Sequence, residues 1–162
     1  MPLDINNPDD QPHILNLGEG HTPLLAYNDH PLAQKKKVPF ERLQEETFVV
    51  REQGSGTRIA MERYFADRGA RLTTSMEMTS NVAIKQAVEA GLGLGIVSIH
   101  TLELEIETKR LTILDASAFP ILRHWYVVNR EGKRLSPVAQ AFKEFVLNKA
   151  DSMMPKGVTY LK

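Results

Sequence analysis

The segment from Arg51 to Arg58, REQGSGTR, carries the side chains of this sequence that are best suited to bind an anion. Its glycines let the backbone turn tightly, Ser55 and Thr57 supply hydroxyl groups, and Arg58 supplies a fork of N–H donors. The segment lies where a predicted strand meets a predicted helix, so the helix N–H groups and the helix dipole would also attract negative charge. A capped turn with solvent-facing charges is the alternative interpretation.

A second polar helix start follows the next predicted strand. Residues 72–79 alternate between apolar and polar side chains with a period of two, which predicts the strand, and Ser80 is a suitable N-cap for the helix after it. In a parallel sheet this loop and the loop of Ser55 open at the same carboxyl edge, where open α/β proteins usually bind ligands. Capping alone also explains Ser80 and Asn81, so the convergence of the two loops is the stronger indication.

The elements around these loops alternate between strand and helix. Phe48–Val50 is an apolar run that suits a buried strand, helices are predicted from about Thr57 to Arg68 and after Ser80, and Ile96-Val97 belongs to the next strand. Gly91–Gly95 predicts a close-packed turn between helix and strand, because the spacing of a dinucleotide loop is absent. This order predicts parallel strands with right-handed crossovers, and therefore an α/β fold with helices on both faces of a small sheet.

Shorter patterns predict the elements that precede this region. Strands are predicted at His13–Leu17 and Pro23–Tyr27, and Gly18 and Gly20 between them indicate a turn. Phe40–Glu46 is predicted to form a short helix.

The C-terminal part is predicted in the same way. Thr101–Thr108 suits either an exposed helix or a strand. Trp125 is expected to be a core residue or a contact between subdomains, and Ser136-Pro137 predicts a helix start. The other expectations are strands at Leu111–Leu114 and Trp125–Val128 and an apolar helix stripe at Val138, Ala141, Phe142, Phe145 and Val146.

The composition is that of one soluble globular domain. Of the 162 residues, 42% are hydrophobic, and 20 basic residues balance 20 acidic ones. Segments that bind DNA by themselves usually have a clear excess of basic residues, so direct DNA binding is not expected. The lack of cysteine excludes disulfides and zinc–thiolate sites. With no signal-peptide pattern and no long apolar run, a cytoplasmic protein is expected.

Patterns typical of enzymes are absent from the sequence. Ser55 lacks the first glycine of a nucleophile elbow, no Walker loop occurs, and the five histidines have no metal-ligand spacing. We therefore expect no catalytic residues, no metal and no cofactor.

Several motifs, in this order and spacing over residues 12–149, together resemble the effector-binding domain of LysR-type transcriptional regulators. They are His30-Pro31-Leu32-Ala33, Gly54-Ser55-Gly56-Thr57-Arg58, Ser80-Asn81 with Ala90-Gly91-Leu92-Gly93, and Arg134-Leu135-Ser136-Pro137. Ser80 to Val88, Ser98 to Leu102, Phe119-Pro120-Ile121 and Arg123 to Val128 further resemble the CbbR-type members, which regulate RuBisCO operons of the Calvin cycle.

The resemblance implies a periplasmic-binding-protein-like, three-layer subdomain with a mainly parallel sheet. Family members begin with a winged helix-turn-helix and the first half of the effector domain, and neither is expected in this sequence. Residues 1–11 would form the first hinge region, 12–122 the second subdomain, 123–150 a returning strand and helix, and 151–162 a tail. With the first subdomain absent, the apolar stripe of the last helix would pack elsewhere on the chain or onto a second copy.

The resemblance also implies the function. In the family a metabolite binds between two subdomains and changes how the oligomer binds DNA. For CbbR-type members the implied effectors are NADPH or phosphorylated metabolites. The expected effector contacts are Ser55, Gly56, Thr57, Arg58 and Asn81. A homo-oligomer is expected, with DNA contacted through the missing N-terminal domain and no contact with a membrane.

Three other functions are considered. A stand-alone solute-binding protein is disfavoured by the missing signal peptide, and a small enzyme by the missing catalytic constellation. An oligomerisation module without a ligand, in which the helix from Thr57 to Arg68 pairs with another subunit, remains compatible with the first interpretation.

Overall fold

The computed structural model of the protein describes residues 12–117, 119–130, 132 and 134–153. The described residues divide into two compact units, of which one holds residues 12–20 and the described residues from Arg123 to Met153, and the other holds those of His21–Leu122. The strands are β1 (Pro12–Thr22), β2 (Leu24–Tyr27), β3 (Phe48–Arg51), β4 (Thr74–Met78), β5 (Leu94–Ile96), β6 (Leu111–Ile113) and β7 (Ile121–Arg130). The helices are α1 (Phe40–Leu43), α2 (Gly56–Ala66), α3 (Asn81–Glu89), α4 (Glu103–Glu107) and α5 (Pro137–Met153), with a 3₁₀ turn at Ile99–Thr101.

The larger unit is built on a five-stranded sheet. The strand order is β4-β3-β5-β2-β6. Strand β3 is parallel to both β4 and β5, as predicted, whereas β2 pairs antiparallel with β5 and β6. The sheet therefore has a parallel half, which contains the two loops of interest, and an antiparallel half.

Helices cover both faces of this sheet, because successive residues of a strand point to opposite sides. Val50 belongs to one buried cluster together with Met61 and Phe65 of α2. Val49 belongs to a second cluster together with Ile84 of α3. The predicted three-layer arrangement is confirmed.

The predicted close turn between α3 and β5 is also confirmed. A Cβ atom on Gly93 would meet the carbonyl oxygen of Thr47 at 2.8 Å, and one on Gly95 would meet Cγ2 of Val88 at 2.6 Å. At Gly95 only glycine lets α3 lie this close to β5, and at Gly93 only glycine lets the turn lie against the backbone of Thr47. These glycines serve packing.

In the segment Thr101–Thr108 the structure forms a helix. A 3₁₀ turn leads into α4, and Ile106 packs against the second buried cluster. Leu104 lies on the other side and is 66% exposed, which explains why the sequence pattern was equally consistent with a strand.

The smaller unit contains a two-stranded sheet of β1 and β7 and the helix α5. The predicted turn at Gly18 and Gly20 is wrong, because β1 continues through both residues. Gly20 lies against the indole ring of Trp125, so that any side chain there would collide with the ring. Trp125 is 44% exposed, so that of its two predicted roles the core position is wrong and the contact between subdomains stays a prediction.

Helix α5 begins as predicted. The Ser136 hydroxyl accepts a hydrogen bond from the Ala139 N–H at 3.2 Å, which is an N-cap contact. The predicted apolar stripe is present on the helix, but Val138, Phe142 and Phe145 are 80%, 66% and 50% exposed.

Candidate ligand site at the carboxyl edge of the sheet

The parallel pairing of β3 and β4 brings the two predicted loops together. Arg51 lies opposite Met78, and the Glu52 N–H donates to the Met78 carbonyl at 3.0 Å. Helices α2 and α3, of 11 and 9 residues, therefore begin side by side at the carboxyl edge. The predicted convergence of the loops is confirmed.

At the start of α2 the side chain of Ser55 is not used for capping. Ser55 occupies the N-cap position, and its carbonyl accepts from the Ile59 N–H at 2.9 Å, but its side chain makes no capping hydrogen bond. Gly56 is exposed and Thr57 is half-buried. This helix start keeps the Ser55 hydroxyl available for a ligand.

The start of α3 differs in this respect. The Ser80 hydroxyl accepts from the Ala83 N–H at 3.2 Å and is thus committed to the cap. The next residue, Asn81, accepts a hydrogen bond from Nη1 of Arg51 to its Oδ1 at 3.0 Å. The Ser80 hydroxyl is thus used within its own helix, whereas the Asn81 side chain connects α3 to Arg51.

Arg58 binds α2 to the neighbouring strand. Its Nε donates to Glu62 at 2.6 Å, and its Nη1 donates to Glu77 of β4 at 2.8 Å and to the Arg51 carbonyl at 3.0 Å. The hydrogen bonds to the two carboxylates, above all the one to Glu62, raise the pKa of Arg58 above its ordinary value. The structure thus surrounds the predicted cationic fork with acceptors of the protein itself. That Arg58 contacts a ligand stays a prediction.

Arg51 is a candidate that the sequence analysis did not select. It is the last residue of β3, and its Nε and Nη2 donate side by side to the two carboxylate oxygens of Glu52, at 2.7 and 2.9 Å. The hydrogen bond from Arg51 holds the pKa of Glu52 below its usual range. The sequence signal that could have identified Arg51 is its position, because the last residue of a buried strand lies at the edge of the sheet where the loops open.

A comparison with protein families decides what kind of domain this is. The family model of the LysR substrate binding domain matches residues 4–151. The chain belongs to the LysR substrate-binding domain family. The predicted resemblance is confirmed.

Curated relatives of this LysR substrate-binding domain are transcriptional regulators. The RuBisCO operon transcriptional regulator of Allochromatium vinosum is 58% identical over 130 residues, which cover 80% of this chain and 43% of that protein. The transcriptional activator CmpR of Synechocystis is 41% identical over 144 residues, which cover 89% of this chain and 45% of that protein. The chain thus spans less than half the length of these relatives.

Solved structures share the fold of the LysR substrate-binding domain. The CcmR regulatory domain of Synechocystis PCC6803, solved in complex with 2-PG, matches with a TM-score of 0.82 and 37% identity over 91% of this chain and 71% of that one. The effector binding domain of QuiR, solved with shikimate, matches with a TM-score of 0.77 at 19% identity and so shares the fold. The predicted periplasmic-binding-protein-like α/β fold is confirmed.

Other features of this LysR substrate-binding domain bear on ligand chemistry. Within the described ranges, no group of three or more histidine, aspartate or glutamate side chains could hold a metal. None of the described helices is both long and apolar enough to cross a bilayer. An open cavity of about 430 Å³ lies at the opposite edge of the sheet, lined in part by Asn28, Lys109 and Thr112.

Proposed function

We propose that this chain is the ligand-sensing region of a longer transcriptional regulator of carbon-fixation genes. The support is its similarity to the A. vinosum RuBisCO operon regulator and, at 48% identity over 123 residues, to CbbR of Rhodospirillum rubrum. In this proposal the region turns over no substrate, and the regulator acts in the cytoplasm as a homo-oligomer. Because the chain has no net charge, DNA is bound by another part of the protein.

The ligand in this proposal is a small anion at the carboxyl edge, bound by Ser55, Gly56, Thr57 and Asn81, with Arg58 beside them. The observation that carries the proposal is the pairing of β3 with β4, which sets the starts of α2 and α3 next to each other. Each helix start concentrates partial positive charge, so the two together favour an anion.

The proposal retains the domain organisation expected from the sequence. In this proposal, as in the prediction from the sequence, residues 12–122 belong to the second subdomain of an effector-binding domain and 123–150 return to the first subdomain, although the larger compact unit of the structure begins only at His21. The exposure of Val138, Phe142 and Phe145 on α5 supports this organisation, since a contiguous apolar stripe on a soluble helix commonly marks a contact surface.

A thermal-shift titration of the 162-residue chain tests the proposal. The ligands are 2-PG, which is bound in the related CcmR structure, together with NADPH, ribulose bisphosphate, phosphoenolpyruvate and inorganic phosphate. A ligand that binds the folded state raises the unfolding midpoint as its concentration exceeds the dissociation constant. We expect such a rise with at least one anion.

Variants of two site residues and one control variant test whether the rise in the unfolding midpoint comes from the proposed site. The rise should be smaller in Ser55→Ala and Asn81→Ala, and it should be unchanged in Arg63→Gln, which alters an arginine on α2 whose side chain is 82% exposed. A rise that is equal in all four proteins would contradict the proposed site. No rise with any of the five ligands would contradict the proposed sensing function.

A further inference from the structure

We propose that Arg51 is the residue that recognises the charge of the ligand, and that it does so by donating hydrogen bonds to a carboxylate or phosphate group. This inference rests on the function proposed above and assigns the cationic role to Arg51 rather than to Arg58.

The position of Arg51 is the first argument. As the last residue of β3 it lies between the two helix starts, opposite Met78 and bonded through Nη1 to Asn81 of α3. Its own carbonyl is fixed by the hydrogen bond from Arg58 at 3.0 Å. The guanidinium group therefore contacts the first residue of α3, and the backbone that carries it is bonded to α2; helix starts are places that favour an anion.

The orientation of the guanidinium group is the second argument. Glu52 occupies the edge formed by Nε and Nη2, and Asn81 takes one N–H of Nη1. A guanidinium group has five N–H donors, so two remain after these three bonds, one on each terminal nitrogen. The side chain of Arg51 is 21% exposed, and a ligand can reach it. Glu52 thus acts as a positioning residue for Arg51.

The local charge is the third argument. Arg58 is paired with two carboxylates, those of Glu62 and Glu77, so these three side chains together carry a net negative charge. Arg51 is paired with one carboxylate and with the neutral amide of Asn81, so these three side chains together carry no net charge. Because like charges repel, the approach of an anion is opposed less at Arg51 than at Arg58.

The test is a titration of the ¹⁵N-labelled 162-residue chain with 2-PG and, separately, with inorganic phosphate, both to millimolar concentrations. Nuclear magnetic resonance (NMR) reports the Nε–Hε signals of the arginines together with the backbone amides, and the Arg51→Lys spectrum assigns the Arg51 signal. We expect this signal to shift saturably with at least one of the two anions.

Variants of Arg51, compared with a control on α2, test whether this residue binds the anion. Removing a charge-assisted hydrogen bond weakens binding by about ten-fold or more, so Arg51→Gln should raise the dissociation constant by at least that factor. Arg51→Lys keeps the charge but loses the fork and should also weaken binding. The control Arg63→Gln should stay within about two-fold of the wild-type value. The amide spectrum of Arg51→Gln verifies that the variant is folded.

Two adverse outcomes are distinguishable. If the wild-type chain binds an anion and Arg51→Gln binds it equally well, while Arg58→Gln does not, the assignment to Arg51 is overturned and the proposed function stands. If neither anion produces a saturable shift in the wild-type chain, the assignment to Arg51 is overturned, and the proposed function is overturned as well only if the thermal-shift titration with all five ligands also gives no rise.

Discussion

Arg51 at the end of β3 donates a hydrogen bond from Nη1 to Oδ1 of Asn81 at the start of α3, over 3.0 Å. This contact joins residues that are thirty positions apart in the sequence, and it links the two helix starts at the carboxyl edge. The same guanidinium group holds the Glu52 carboxylate with two further donors. Contacts within the protein therefore order this edge of the sheet.

We expect a double-mutant cycle of Arg51→Ala and Asn81→Ala to give a coupling free energy of about 1 kcal/mol. Either single replacement already removes the hydrogen bond between the two side chains, so the double variant has no further bond to lose. The measurement is urea unfolding of the two single variants and the double variant. The matched control is the pair Arg63 and Asp67, whose atoms are 3.9 Å apart and whose side chains are 82% and 65% exposed; it should show coupling near zero. Equal coupling in the two pairs would be inconsistent with an ordered contact at the edge.

The two serines that precede the helices should respond differently to replacement by alanine. Ser80→Ala removes an N-cap hydrogen bond and should lower the free energy of unfolding by about 1 kcal/mol. Ser55→Ala removes a hydroxyl that makes no capping bond, so its unfolding free energy should change by less than half of that amount. Denaturant unfolding compares them. A larger loss in Ser55→Ala than in Ser80→Ala would show that the Ser55 hydroxyl stabilises the fold.

Stability should depend on pH through Glu52. The hydrogen bond from Arg51 lowers the pKa of Glu52 below the ordinary value of 4.5. A carboxyl group whose pKa is lowered in the folded state stabilises that state above its unfolded pKa, and this contribution is lost as the pH falls through the folded pKa. Between pH 5 and about pH 3, Glu52→Gln should therefore lose less stability than the wild-type chain. Parallel curves of unfolding free energy against pH for the two proteins would contradict the pairing.

The ion pair of Lys85 and Glu105 should matter more for stability than those on the open surface. Its two atoms lie 2.6 Å apart, the side chains are 13% and 16% exposed, and Lys85 also donates to the Thr101 carbonyl. Lys85→Met leaves the poorly solvated Glu105 carboxylate without the lysine as its partner, and should lower the free energy of unfolding by about 3 kcal/mol. The double variant Lys85→Met with Glu105→Leu should recover part of that loss. A double variant less stable than Lys85→Met alone would argue against this explanation.

The sequence predicted the architecture of the edge better than its contacts. Apolar periodicity and helix-start residues located β3, β4, α2 and α3, and parallel pairing then forced the loops of Ser55 and Asn81 together. Arg51 and Arg58 have long side chains that fold back across the neighbouring strands, and their partners depend on the path that each side chain takes. No short-range sequence pattern encodes that path. The ligand contacts assigned to Ser55, Gly56, Thr57, Arg58 and Asn81 stay predictions.

The error in the N-terminal strand has a similar cause. Gly18 and Gly20 indicated a turn because glycine commonly breaks regular structure. The structure instead uses Gly20 to make room for the indole ring of Trp125, which lies more than a hundred positions further along the chain. A glycine that is needed for a close approach and one that is needed for a turn look the same in sequence.

The central claim is that a small anion binds at the carboxyl edge between the starts of α2 and α3. Backbone-amide NMR of the 162-residue chain, titrated with 2-PG, NADPH and inorganic phosphate, tests it most directly. We expect that at least one of these ligands shifts the amide signals of residues 55–58 and 81–83 saturably, and more than the signals of any other residues. Saturable shifts that cluster instead around Asn28 and Lys109, at the cavity on the opposite edge, or no saturable shift with any of the three, would contradict it.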